Sequence, residues 1–201
     1  MNKKYSYSYG HDDVYCYEDS DVLKNKLNIR EAEKLFEVER HITDVKTEVI
    51  YQLADKKKVF GKAFFLTIHK VLFEDIYEWA GKIRTIDIAK GTLFCRVFAI
   101  QEELDRIFYE LSNENYLLKY KDDELAIKMA YFLSEINAVH PFREGNGRTQ
   151  RLFMEVIAYK AGYHLDFSGI TDQEMIEASY ESFNRDYAKM NEIFKKALIR
   201  N

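Results

Sequence analysis

The sequence predicts a mainly α-helical domain with a single β-hairpin, and three observations predict it. Apolar residues recur three and four apart through most of the chain, the spacing that lines one face of a helix. The 201 residues include only 8 glycines and 1 proline, too few for a turn-rich β fold. Only between Ile83 and Ile100 does the pattern switch to alternation, through Ile86, Ile88, Leu93, Cys95 and Val97, with Lys90-Gly91-Thr92 placed for a turn. A hydrophobic content of 47% supports one packed core, so one domain is expected over residues 21–201, preceded by an irregular arm at 1–20.

The arm is polar and aromatic, with Tyr5, Tyr7 and Tyr9 and no helical spacing. After Ser20, a candidate cap, Val22, Leu23, Leu27 and Ile29 predict a short helix or a turn. Ala32, Leu35, Phe36, Val38 and Ile42 then predict a helix running towards Leu53, with these side chains in the core. Lys56-Lys57-Lys58 reads as a solvated bend. Phe64, Phe65, Ile68, Leu72 and Phe73 form the next stripe, followed by Trp79 as an aromatic anchor and Gly81 as a helix stop. A lone hairpin is marginally stable, so the one at 83–100 must lean on helices. Beyond it, Leu104, Ile107, Phe108 and Leu111 predict a helix that breaks at Asn113-Glu114-Asn115. Leu125, Met129, Leu133, Ile136 and Val139 predict another, and Leu152, Val156, Ile157 and Tyr159 one that stops at Gly162. Tyr163 to Ser168 reads as irregular, and two last stripes follow, Met175 to Phe183 and Tyr187 to Leu198.

Several function classes are disfavoured. A formal charge of −4 lacks the basic excess of a nucleic-acid coat, so no direct nucleic-acid partner is expected. Cys16 and Cys95 are far apart, with no Cys-x-x-Cys or Cys/His cluster, and read as two free thiols. No stretch approaches the roughly 18 uncharged apolar residues of a membrane helix, and no apolar signal core opens the chain. A cytoplasmic location and no membrane partner are expected, with delivery to another cell left open. No Gly-x-x-x-x-Gly-Lys-(Ser/Thr) loop occurs.

The chemistry concentrates in residues 140–151, His-Pro-Phe-Arg-Glu-Gly-Asn-Gly-Arg-Thr-Gln-Arg, between two helical patterns. Pro141 biases the residue before it away from helical geometry, so the first helix should end near His140, with the imidazole at the lip of a loop. Gly145-Asn146-Gly147 admits positive torsions that converge backbone N–H groups into an anion nest at the start of the second helix. Arg148 and Arg151, three apart, can turn both guanidinium forks to one phosphate chain. Cations at a helix N-terminus oppose the macrodipole, so the arrangement asks for an anionic ligand. Glu144 is a hard oxygen ligand suited to magnesium shared with phosphates. A base, a metal carboxylate, an anion nest and two phosphate forks make a set for nucleotide chemistry.

This segment closely resembles the signature of Fic-domain proteins, His-Pro-Phe-x-(Asp/Glu)-Gly-Asn-Gly-Arg-x-x-Arg, with every specified position present. A second island, Leu72-Phe73-Glu74-Asp75-Ile76-Tyr77-Glu78-Trp79-Ala80-Gly81-Lys82-Ile83-Arg84, is similar to the segment preceding that family's active-site flap. The resemblance implies a Fic-type helical bundle whose hairpin flap, about residues 83–100, covers the site. It also implies transfer of AMP from ATP, with Mg2+, to a Ser, Thr or Tyr hydroxyl of a target protein. His140 would be the base and Glu144 the metal ligand. The Gly145-Asn146-Gly147 amides and the Asn146 side chain would stabilise charge, Arg148 and Arg151 would hold the β- and γ-phosphates, and Lys90, Gly91, Thr92 and Leu93 would dock target backbone.

Short bacterial members of the family act as toxins, some on topoisomerase subunits, which makes such a subunit a candidate target by resemblance alone. The family is commonly held off by a (Ser/Thr)-x-x-x-Glu-(Gly/Asn) helix whose glutamate pairs with the second signature arginine, here Arg151. No serine or threonine of this chain has a glutamate four places on. A separate small helical antitoxin carrying that motif is therefore expected. Two rivals stay open at this point: transfer of another phosphate-containing group on the same fold, and a catalytically silent helical binding module.

Overall fold

Seven α-helices form among the described residues, 12–201 of the computed structural model; residues 1–11 of the arm, with Tyr5, Tyr7 and Tyr9, lie outside them. In chain order they are α1 (Ala32–Asp55), α2 (Lys62–Phe73), α3 (Ile100–Asn113), α4 (Asp122–Val139), α5 (Asn146–Ala161), α6 (Asp172–Phe183) and α7 (Ala188–Ala197). Strands β1 (Ala89–Lys90) and β2 (Thr92–Leu93) make the hairpin, in register Ala89 to Leu93 and Lys90 to Thr92. Its strands are shorter than the alternation predicts. Gly91, at φ 74°, takes the left-handed turn position that glycine adopts without steric cost.

The centre is α4 and α5. Leu125, Met129, Phe132, Leu133 and Ile136 of α4 are buried, and Leu152, Phe153, Met154, Val156 and Ile157 of α5 fill successive positions around that helix. Both carry buried residues on several sides, since α4 is packed by α3, α5, α6 and α7 and α5 by α2 and α4. α2 packs on α5, α3 on α4, and α6 and α7 cover the remaining side of α4. Phe153 anchors this core, its ring edge-on to Phe65 at 5.5 Å and to Phe108 at 5.7 Å. Thr171 starts α6 with a capping box closed by Glu174. No helix among the described residues is long and apolar enough to cross a membrane.

Two expectations are made more specific and two are corrected. Val22 to Ile29 is a turn, because the Asn25 side chain accepts from Ile29 N at 2.9 Å and donates to the Leu23 and Ile29 carbonyls. Residues 12–20 are irregular as expected but packed: Cys16 bridges to Leu23, and both Tyr15 and Cys16 are buried. Tyr163–Leu165 is a strand, β3, paired antiparallel with β4 (Leu198–Arg200), a partner more than thirty residues away that local pattern does not reveal. Phe36 is 55% exposed, whereas Leu35, Glu39, Thr43, Ile50 and Ala54 form the buried face of α1. That face is polar in its middle because it borders the site.

Candidate active site

The loop between α4 and α5 brings the signature residues together. α4 stops at Val139, and His140 follows in the left-handed conformation at φ 48°. A left-handed non-glycine residue costs energy and persists only where its surroundings fix it. Arg84 supplies that fixation. It is 1% exposed, and its Nε donates to the His140 carbonyl at 2.9 Å. Its Nη1 donates to Ile86 O at 2.6 Å and its Nη2 to Val139 O at 3.3 Å and to Cys95 O. Its backbone N–H donates to Pro141 O at 2.8 Å. One guanidinium thus caps the C-terminal end of α4, where a cation is favoured, and ties both legs of the flap to it.

His140 is buried rather than standing at the lip. Phe94, just past β2, stacks on its ring at 3.8 Å. Its Nδ1 lies 3.2 Å from Asn137 O, and a carbonyl only accepts, so Nδ1 carries the proton and the basic lone pair is on Nε2. A free imidazole titrates near neutrality. Burial pushes that of His140 down to about 3, so it is neutral across the physiological range.

After Pro141, Phe142 is fully buried and stacks on His69 at 3.8 Å, pinning the loop to α2. Gly81 N donates to His69 Nδ1 at 2.8 Å, so Nε2–H donates to Glu144 O at 3.0 Å and His69 is a neutral strut. Gly145, at φ 79°, passes over the Phe73 ring so closely that a Cβ would stand 2.4 Å from it. Only glycine fits. Asn146 and Gly147 are already helical, so Gly145 alone of the expected nest has a positive torsion. The Asn146 side chain is engaged within the loop. It is buried, accepting from Phe142 N at 2.9 Å and donating to Phe142 O at 2.7 Å, which closes the loop.

α5 then begins with no side-chain cap and no acidic residue in its first turn, leaving its N-terminus suited to an anion. Arg148 and Arg151 both line a cavity of about 140 Å³ between α1 and α5, beside Thr43, Thr47 and Glu155. Arg151 is exposed and forms no ion pair with a described residue. Glu144 accepts from Gly145 N at 2.9 Å and lies 3.8 Å from Arg148 Nη2, an oxygen donor at the edge of the anion site. No cluster of three metal-ligating side chains gathers among the described residues. One carboxylate is nevertheless what magnesium takes when phosphates complete its shell. Lys90, Gly91 and Leu93 are exposed at the flap and Thr92 is half-buried.

Similarity to known proteins follows this geometry. The Fic/DOC family profile matches residues 60–158. A probable protein adenylyltransferase, y4lH of Sinorhizobium fredii, is 38% identical over 181 residues, 89% of this chain and 92% of the relative. The chain belongs to the Fic/DOC family. The probable protein adenylyltransferase Fic of Escherichia coli is 34% identical over 92% of both chains. BepC of Bartonella tribocorum, solved with bound AMPPNP, matches with a TM-score of 0.85 at 27% identity, over 93% of this chain and 97% of that one. The N-terminal Fic domain of a Bartonella quintana Bep effector, solved with bound ADP, matches at 0.84 and 34% identity, over 93% and 95%.

Two buried neutral histidines give this Fic domain a pH signature. His69 and His140 are both held down to about 3, against an ordinary value of 6.5. The unfolded chain therefore binds protons that the folded chain does not. Their contribution is complete above 6.5 and is lost progressively as pH falls below it. Urea midpoints should decline from neutral to mildly acidic pH with a slope approaching two protons, and His140→Asn should remove about one of them. A flat midpoint over that range would show that these rings ionise in the fold.

Proposed function

We propose that the chain is a protein adenylyltransferase, moving AMP from ATP to a serine, threonine or tyrosine hydroxyl of another protein. The observation that carries this reading is the neutral His140 beside an uncapped helix N-terminus with two arginines at its mouth. The hydroxyl oxygen attacks the α-phosphorus, its proton passes to His140 Nε2, and the bond to the β-phosphate oxygen breaks to release pyrophosphate. The backbone N–H groups at the start of α5 stabilise the charge that develops on the phosphates. Arg148 and Arg151 hold the β- and γ-phosphates as bidentate forks. Glu144 would hold a magnesium ion with the nucleotide, offsetting charge on the leaving group. The names of the relatives and the nucleotides bound in the matching structures support the same class.

The flap presents the target. An extended peptide adding to a strand edge is held through backbone groups, which fixes a hydroxyl while requiring little sequence. Leu93→Pro removes a ladder donor and is expected to stop modification of foreign protein while nucleotide affinity stays within about threefold. Equal loss of both would make the flap a structural element.

Arg151 lines the cavity beside Glu155 but makes no direct ion pair with a described residue, which supports control by a separate helical inhibitor supplying a glutamate, as in a toxin–antitoxin pair. α7 packs along α4 and β4 pairs with β3, so residues 188–200 belong to the fold itself. The transfer itself is tested by incubating the chain, a cell extract and magnesium with ATP labelled at either the α- or the γ-phosphate. Protein-bound α-label without γ-label supports AMP transfer. Bound γ-label would mean phosphoryl transfer, and no label with no nucleotide binding would mean a silent module.

A further inference from the structure

Helix α1 sends a carboxylate into the core behind the phosphate site. Glu39 is 4% exposed, and its two oxygens are both engaged. Oε2 accepts from Arg148 Nη2 at 2.5 Å, and Oε1 accepts from the hydroxyl of Tyr77, itself 1% exposed. The guanidinium of Arg148 lies 4.8 Å over the Phe73 ring, and Glu144 stands on its loop side at 3.8 Å. The fork is therefore held by a carboxylate behind, a ring beneath and a loop residue beside it. Burial pushes the Glu39 carboxyl up, and the Arg148 cation opposes that shift.

We infer that Glu39 is a positioning residue for the nucleotide, fixing the guanidinium of Arg148 in its phosphate-binding orientation and so making α1 part of the nucleotide site. The inference rests on the phosphate role given to Arg148 above. Two alternatives are weaker on the geometry. As pure core packing, a carboxylate here is a poor choice, since apolar residues of similar volume usually equal or exceed a buried ion pair in stability. As an internal competitor for phosphate, Glu39 would have to be displaced. It approaches from the core and is anchored by Tyr77, so leaving Arg148 would strand a buried carboxylate. With Glu39 in place, Arg148 still lines the cavity between α1 and α5 that a phosphate would enter. Freezing a long, rotamer-rich arginine before binding removes an entropy cost that the ligand would otherwise meet.

The test is a double-mutant cycle on the full chain, with calorimetric binding of a non-hydrolysable ATP analogue in magnesium. Glu39→Gln keeps the shape but removes the charge, and should weaken binding roughly tenfold, within the range of a charge-assisted contact. In transfer assays the nucleotide KM should rise while kcat at saturation holds within about threefold. In an Arg148→Ala background the same change should add nothing, because the group it positions is gone. Tyr77→Phe, which removes only the hydroxyl that steadies Glu39, should shift affinity in the same direction by a smaller factor and serves if Glu39→Gln fails to fold. Unchanged or tighter binding in either folded variant, or a full tenfold effect persisting without Arg148, would overturn the inference. If Arg148→Ala alone binds nucleotide as the parent does, the phosphate assignment itself has failed. If it weakens binding while the Glu39 and Tyr77 variants do not, only the positioning role is lost.

Discussion

Replacing His140 with alanine should cut transfer about 100- to 10,000-fold, the usual cost of losing a general base. Nucleotide binding should stay within a few-fold of the parent, since in the proposed mechanism α5 and its arginines hold the phosphates and the imidazole serves the hydroxyl. The depressed pKa adds a sharper expectation. Because the imidazole is neutral well below neutrality, the rate should show no acid limb near 6.5 and should fall only where the fold itself is lost. Single-turnover rates across pH, alongside unfolding midpoints on the same samples, separate the two. Transfer within threefold of the parent in His140→Ala would remove this residue from the mechanism.

The second large effect belongs to Arg84, which touches no reacting atom. Its guanidinium is the donor for carbonyls of Ile86, Cys95, Val139 and His140, and it lies 4.0 Å from Asp87. Arg84→Met leaves buried acceptors without a partner, each costing about 1–3 kcal/mol. A total loss of about 3–5 kcal/mol is expected, comparable to removing one member of a buried charged network. Arg84→Lys retains the charge but not the planar fork, so it should recover part of the stability while the transfer rate stays at least about tenfold down. Urea unfolding and single-turnover kinetics on the lysine variant decide the matter. Parental values in both would mean that neither the left-handed turn at His140 nor the seating of the flap depends on this residue.

The sequence shows the helices through their apolar spacing and the reactive loop through its density of functional groups, because both signals are local. How the loop is held is less legible. Phe142 and Arg84 stand in the two islands of resemblance, but neither the stacking of Phe142 on His69 nor the depth of Arg84 is marked by local pattern. Glu39 sits in a run of charges on α1 that resembles a solvated face, and only the approach of α1 to α5 puts it behind Arg148. Asp12, near the start of the described chain, pairs with Arg143 at 2.6 Å across 131 positions, which no local pattern records. The β3–β4 pairing was hidden for the same reason. Asn146 is where the pattern puts it, but its closure of the loop on Phe142 is not written in the sequence.

The central claim, that this loop moves AMP to a protein hydroxyl with His140 as base, is tested most directly by mass spectrometry of a cell extract. The extract is incubated with magnesium-ATP and either the parent chain or His140→Ala. AMP on serine, threonine or tyrosine side chains with the parent, and its absence with the variant, is the predicted result. Phosphate in place of AMP, or the same modified residues with both chains, would contradict it.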